Sequence, residues 1–259
     1  KLETSDTTYI DTWIGYVNSI GHKLIKSVEV EIGGQRIDKQ YSDYLEIWDE
    51  LTCSAEKQER FREDMIGKYQ TELALQNNAD EEKTYYIPLQ FWFCKNPGLA
   101  LPLISLQYHE VKIIVEFEEL NNLVVNGNDS NLNDDEPETI TNAIINATGV
   151  TKNLDASLWC DYIYLDTDER RRFAQASHEY LIEQIQFTGA ESSASQSNKI
   201  RMNFNHPIKE IMWVIEKDDD TDKNRYFSYS KEGESEPVTK AKILLNGHDR
   251  IAERKGSYF

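Results

Sequence analysis

KSVEVEIGGQRID, residues 26–38, sets Val28, Val30 and Ile32 in alternation with Glu29 and Glu31. Successive side chains of a strand point to opposite faces, so this period of two reads as a strand with one buried and one wet face. Gly33-Gly34 then supplies a turn in which positive φ costs little. The same alternation recurs in HEVKIIVEFEE, where Val111, Ile113, Val115 and Phe117 share a face against Lys112, Glu116 and Glu118. In YYIPLQFWF, Ile87, Leu89, Phe91 and Phe93 oppose Tyr86, Pro88, Gln90 and Trp92, a strand apolar on both sides and therefore buried between sheets or at a subunit contact. Pro88 lacks the ladder donor and puts this strand at an edge or a bulge, and Asn96-Pro97-Gly98 ends it in a turn. LWCDYIYLD, Leu181–Phe187, Ile200–Phe204, IKEIMWVIE and AKILLNG complete the predicted strands.

Helical signals are few and short. Tyr44, Trp48 and Leu51 in YSDYLEIWDELT fall at helical spacing, and a polar helix is predicted from Ser54 to about Ile66, with Ser54 as its cap and Phe61 and Met65 four apart. Asp166 and Glu169 stand at capping-box spacing before RRRFAQ. Residues 121–149 are rich in Asn and Asp without periodicity and read as a long exposed loop. Short strands, long polar loops and brief helices predict an all-β sandwich protein. Strand patterning stops at Asp166 and resumes at Tyr180, which divides the chain into 1–166, a linker helix over 167–179, and 180–259.

Of the 259 residues 39 % are hydrophobic and 11 % aromatic, enough for a large core and unlike a disordered chain. A formal charge of −18 repels phosphate backbones and argues against nucleic-acid binding. No apolar run approaches the roughly 20 residues of a spanning helix. Cys53, Cys94 and Cys160 are far apart with no CxxC pair, and read as reduced, buried thiols. The five tryptophans, Trp13, Trp48, Trp92, Trp159 and Trp213, read as core packing.

Four blocks resemble the major capsid proteins of nucleocytoplasmic large DNA viruses: IGHKLIKSVEVEIGGQRIDKQYSDYLEIWDELT, YYIPLQFWFCKNPGLALPLISLQYHEVKIIVEFEEL, LWCDYIYLDTDERRRFAQASHEYLIEQIQ and KAKILLNGHDRIAERKGSYF. They lie in family order and span most of the chain. The resemblance implies two consecutive antiparallel eight-stranded jelly-roll sandwiches with short helical insertions, both incomplete in this chain, which starts at Lys1 and stops at Phe259. It further implies a homotrimeric, pseudo-hexagonal capsomer that tiles an icosahedral shell, with neighbouring capsomers, minor capsid proteins and the inner membrane as partners. The expected location is the virion, after assembly in the host cytoplasm. A β-sandwich module that binds glycans through its aromatic surface is the alternative, because a jelly roll alone does not dictate function.

The search for chemistry yields no catalytic residue, no cofactor site and no metal site. His22, His109, His178, His206 and His248 form no HxH or HExxH pattern. Ser177-His178-Glu179 has triad letters, but neighbours on a strand point to opposite faces. The run Asp218–Asp222 lacks EF-hand spacing and reads as a solvated loop. Arg170, Arg171 and Arg172 could bridge to acidic neighbours or to the inner membrane, with ion pairs across the two domains of one protomer as the preferred reading. Asn128-Asp129-Ser130 and Asn146-Ala147-Thr148 are sequons in the exposed loop, which makes Asn128 and Asn146 possible glycan acceptors.

Overall fold

A computed structural model describes residues 12–57, 60–69, 82–128, 154–193, 195, 197–218, 224–229 and 237–259. The alternation at residues 26–38 produces β2 (Ile25–Ile32) and β3 (Gln35–Tyr41), joined through Gly33 and Gly34 at φ 60° and 81°. Positive φ at both turn positions matches the right-handed twist of a tight hairpin. β2 is also paired antiparallel with β4 (Val111–Phe117), so the sheet order is β3-β2-β4 with β2 central. Val28 stands opposite Val115 and Gln40, and Val30 opposite Ile113 and Asp38. The inner face of this sheet carries the main core, in which Ile25, Val28, Val30, Leu45, Phe91 and Trp92 are buried together.

β1 (Thr12–Tyr16) pairs antiparallel with β5 (Val124–Asn128), and between β1 and β2 lies the short helix α1 (Ile20–Leu24). Val17, Ile20, Leu123 and Val125 form a second apolar cluster there. The helical spacing of Tyr44, Trp48 and Leu51 is realised in α2 (Ser42–Thr52), which lays Leu45 into the main core. Beyond the wall of aromatic residues comes α3 (Trp92–Lys95), and far along the chain α4 (Thr167–Gln175). β6 (Lys240–Leu245) and β7 (His248–Lys255) form a hairpin around Asn246 and Gly247, both at positive φ.

α4 shows its sequence signal in full. The Asp166 carboxylate accepts the Glu169 N–H at 2.8 Å, and Glu169 reaches back to the Asp166 N–H. Its side chains are all exposed or half-buried, so the cap is a large part of what holds it. Asp166→Ala is expected to cost about 1 kcal/mol of local helix stability, seen as faster amide exchange confined to residues 167–175.

Several sequence-based expectations need correction. Of the polar helix expected from Ser54 to about Ile66, Ala55–Lys57 forms a 3₁₀ turn and Arg62–Ile66 a π-helical turn, while residues 58–59 lie outside the described residues. The exposed loop over 121–149 begins too early, because Val124–Asn128 is β5; residues 129–149 lie outside the described residues. YYIPLQFWF is extended but carries no ladder up to Phe91, and then turns into α3. Its backbone is held otherwise: the Tyr86 N–H donates to the Met65 carbonyl, and the Gln40 side chain donates to the Gln90 carbonyl. The turn at Trp92 also breaks the alternation, so Phe91 and Trp92 are both buried. LWCDYIYLD, Leu181–Phe187, Ile200–Phe204 and IKEIMWVIE likewise run without ladders among the described residues. A strand exists only where a neighbour offers N–H and C=O groups at the right spacing, and periodicity reports the side chains, not that neighbour.

Candidate assembly surface and a buried charge network

The apolar residues of the ladderless segments are left largely uncovered. Leu154, Leu158, Trp159, Tyr162, Ile163 and Tyr164 follow one another along residues 154–164, with Trp159 83 % and Tyr164 92 % exposed. Leu181 is 91 % exposed, and Phe187, Ile200 and Trp213 are also exposed. Large contiguous apolar surface is uncommon on a free-standing soluble protein and marks a face that something covers. Trp159 and Trp213 therefore depart from the core-packing expectation, whereas Trp92 meets it. The cysteines also differ from expectation: all three are free thiols, but Cys94 and Cys160 are exposed and Cys53 is half-buried. Cys53 follows the end of α2, Cys94 lies in α3 and Cys160 lies in a segment without a ladder, so none of the three is on a strand packed between sheets.

The chemistry-bearing cluster that sequence reading missed lies under α1 and α2. His22 is 3 % and Glu46 2 % exposed, and the His22 Nδ1 and Glu46 Oε2 are 2.6 Å apart. Ser19 Oγ donates to the other oxygen of Glu46 at 3.2 Å, and the Lys68 ammonium bridges Glu46 and Glu50. Nearby, Arg62 Nε pairs with Asp49 at 2.8 Å and its Nη2 donates to the Asp49 carbonyl. Burial would raise the Glu46 pKa, but the His22 hydrogen bond and the Lys68 charge outweigh it and hold the carboxyl below its usual range. Lys68 is correspondingly raised, with Glu46 and Glu50 outweighing its burial. These residues are 24 and 22 positions apart, and no spacing rule links them. Only the polar character of Glu46 beside Leu45 on a core-facing helix hinted at a partner.

Ser19, His22 and Glu46 bring together the letters of a hydrolytic triad in the wrong order. The relay needs the imidazole between hydroxyl and carboxylate, whereas here the carboxylate sits between the other two. The network is built to hold α1 against α2. Elsewhere, His178 stacks on Phe173 at 4.9 Å and its Nε2 meets the Phe173 carbonyl, which ties it to the end of α4. Arg171 pairs with Asp168 one turn away in the same helix, an ion pair within α4 and not the expected one across domains. Among the described residues no group of His, Cys, Asp or Glu could hold a metal ion, and residues 219–223 of the acidic run lie outside them. The Asn128 backbone ends β5 opposite Thr12, its side chain is outside the described set, and Asn146 lies outside the described residues altogether.

Among the described residues every ladder is antiparallel and the helices are short, which defines a sheet-rich, all-β class of protein. Residues 1–166 match the family model for the major capsid protein N-terminus, and residues 169–259 match that for the large eukaryotic DNA virus major capsid protein. The major capsid protein of Pyramimonas orientalis virus is 48 % identical over 245 residues, covering 95 % of this chain and 53 % of its own length. That of Paramecium bursaria Chlorella virus 1 is 38 % identical over 267 residues, covering 92 % of this chain and 56 % of its own. Among solved structures, PBCV-1 VP54 fitted into a reconstruction of the virophage Sputnik matches with a TM-score of 0.66 and 33 % identity, over 96 % of this chain and 63 % of that one. The chain belongs to the family of large eukaryotic DNA virus major capsid proteins. It spans about half the length of the curated relatives it matches. The glycan-binding alternative finds no support in these likenesses.

Proposed function

We propose that this chain is part of a shell-building subunit: a major capsid protein whose copies associate as homotrimeric, pseudo-hexagonal capsomers of an icosahedral virion. The observation that carries the reading is the run of uncovered aromatic and aliphatic side chains over residues 154–164 in a chain of this family. A shell protein needs rigid sandwiches whose flanks are covered in the particle, and subunit contacts of lasting assemblies are large and apolar. Neighbouring capsomers, minor capsid proteins and the inner membrane are its partners in this reading, and assembly takes place in the host cytoplasm. The protein acts by packing and not by catalysis. The division into 1–166, a linker helix over 167–179 and 180–259 belongs to the same proposal, supported by the two family models meeting between residues 166 and 169 and by the capped helix that begins there.

Light scattering on the full-length protein is expected to give three times the subunit mass, with hexagonal arrays in electron micrographs. A monomer that binds glycans would overturn the reading. Replacing Trp159 and Tyr164 together by Ser is expected to lower the yield of assembled material by about tenfold or more, with the melting temperature of the unassembled protein little changed. Intact mass of the same sample decides whether Asn128 and Asn146 carry glycans.

A further inference from the structure

β3 lies at the open edge of its sheet, where unpaired backbone groups invite another strand. Residues 182–187 run beside this edge without forming a ladder. The contact is made by side chains. One oxygen of Asp38, Oδ1, accepts the Lys39 N–H at 3.0 Å and the Ile185 N–H at 2.9 Å, so a single carboxylate bridges the edge strand and the distant segment. Its other oxygen accepts from the Gln40 amide at 3.0 Å, and the Gln184 amide donates to the Ile37 carbonyl. Phe187 packs on Tyr41 with ring centroids 5.0 Å apart, and Ile182 reaches the main core. A groove of about 690 Å³ runs alongside, walled by β3 and by residues 184–188 and 201–206.

Asp38 is 3 % exposed and faces Val30 across the hairpin, a place where an apolar residue would serve the core better. Burial pushes its carboxyl up against the pull of Ile185, Gln40, Lys39 and Lys95. A carboxylate kept under that penalty has work to do for its neighbours, since burying a charge is tolerated only where its acceptors are used. An apolar side chain would leave the Ile185 N–H without this acceptor.

We propose that Asp38 is the positioning residue of the joint between the two halves of the subunit: its carboxylate docks residues 182–187 on the open edge of β3 in place of a ladder. This rests on the capsid reading above, because a subunit that sets two sandwiches side by side must fix the angle between them in order to tile. The device also closes the β3 edge to strands from other molecules.

Amide hydrogen exchange on the full-length protein tests this. Asp38→Ala is expected to speed exchange of the Ile185 amide by about tenfold, while the β2–β4 ladder amides stay protected. Asp38→Asn keeps an oxygen for the Ile185 N–H and is expected to restore protection. The proposal is overturned if the Ile185 amide exchanges freely in the wild type, or if Asp38→Ala leaves it protected. It is equally overturned if protection is lost throughout β2 and β4, or if Asn fails to restore it. Light scattering on the same samples reports on the capsid reading separately, since the exchange pattern does not require assembly.

Discussion

Phe91→Ala is expected to destabilise the folded protein by about 3–5 kcal/mol, the range for emptying a large aromatic site in a packed core. Phe91 is fully buried, lies among Ile25, Val28, Val30, Leu45 and Trp92, and stacks on Phe93 with ring centroids 5.4 Å apart. Its neighbours come from β2, α2 and α3, so the void cannot close without moving several elements at once. The main chain cannot give way either, because the Gln90 carbonyl is tied to Gln40 on β3. Chemical denaturation of the variant is the measurement, with Tyr108→Ala as a control. Tyr108 is 88 % exposed, and that change should fall within about 0.5 kcal/mol of the wild type. A loss under about 1 kcal/mol at Phe91 would mean that the cluster is not the core that holds the sheet.

Glu46→Ala should cost nearly as much, about 3 kcal/mol or more, because it strands the partners of a buried ion pair. His22 would lose the acceptor at 2.6 Å, and Lys68 would keep only Glu50. The pH dependence has a definite sign. The Glu46 pKa is lower folded than its ordinary 4.5, so its contribution is complete above that ordinary value and is lost as pH falls through the folded one. Lys68 shows the opposite limb: its pKa is raised from 10.5, so its contribution is complete below that value and is lost as pH climbs through the folded one. Glu46→Gln should flatten the acid limb of a stability-versus-pH curve. An unchanged acid limb would show that the carboxylate is not ionised in the folded protein.

Both sites show where sequence reading succeeds and where it stops. Val28, Val30, Val111, Ile113 and Val115 were legible because a strand's period of two depends only on local geometry. α4 was legible for the same reason: Asp166 and Glu169 meet across three residues, and the capping box needs no tertiary partner. Alternation puts Phe91 and Trp92 on opposite faces because it takes the strand to continue, whereas the chain bends at Trp92 into α3. His22, Glu46 and Lys68 left no trace in spacing, because what joins them is the packing of α1 on α2 and on the turn before Gly67.

By itself, the sequence determined the class of the protein: an acidic all-β chain whose ordered blocks match one capsid family, with hairpin turns and a capped helix written in local signals. The tertiary structure alone decided which extended segments gain ladders, which apolar residues remain uncovered, and which carboxylates are buried with partners. The physical reason is range. Turn, cap and alternation energies act between residues a few positions apart. The pairing of β1 with β5, the bridge from Asp38 to Ile185 and the exposure of Trp159 and Tyr164 depend on what the fold brings, or fails to bring, across a gap of many residues among the described ones.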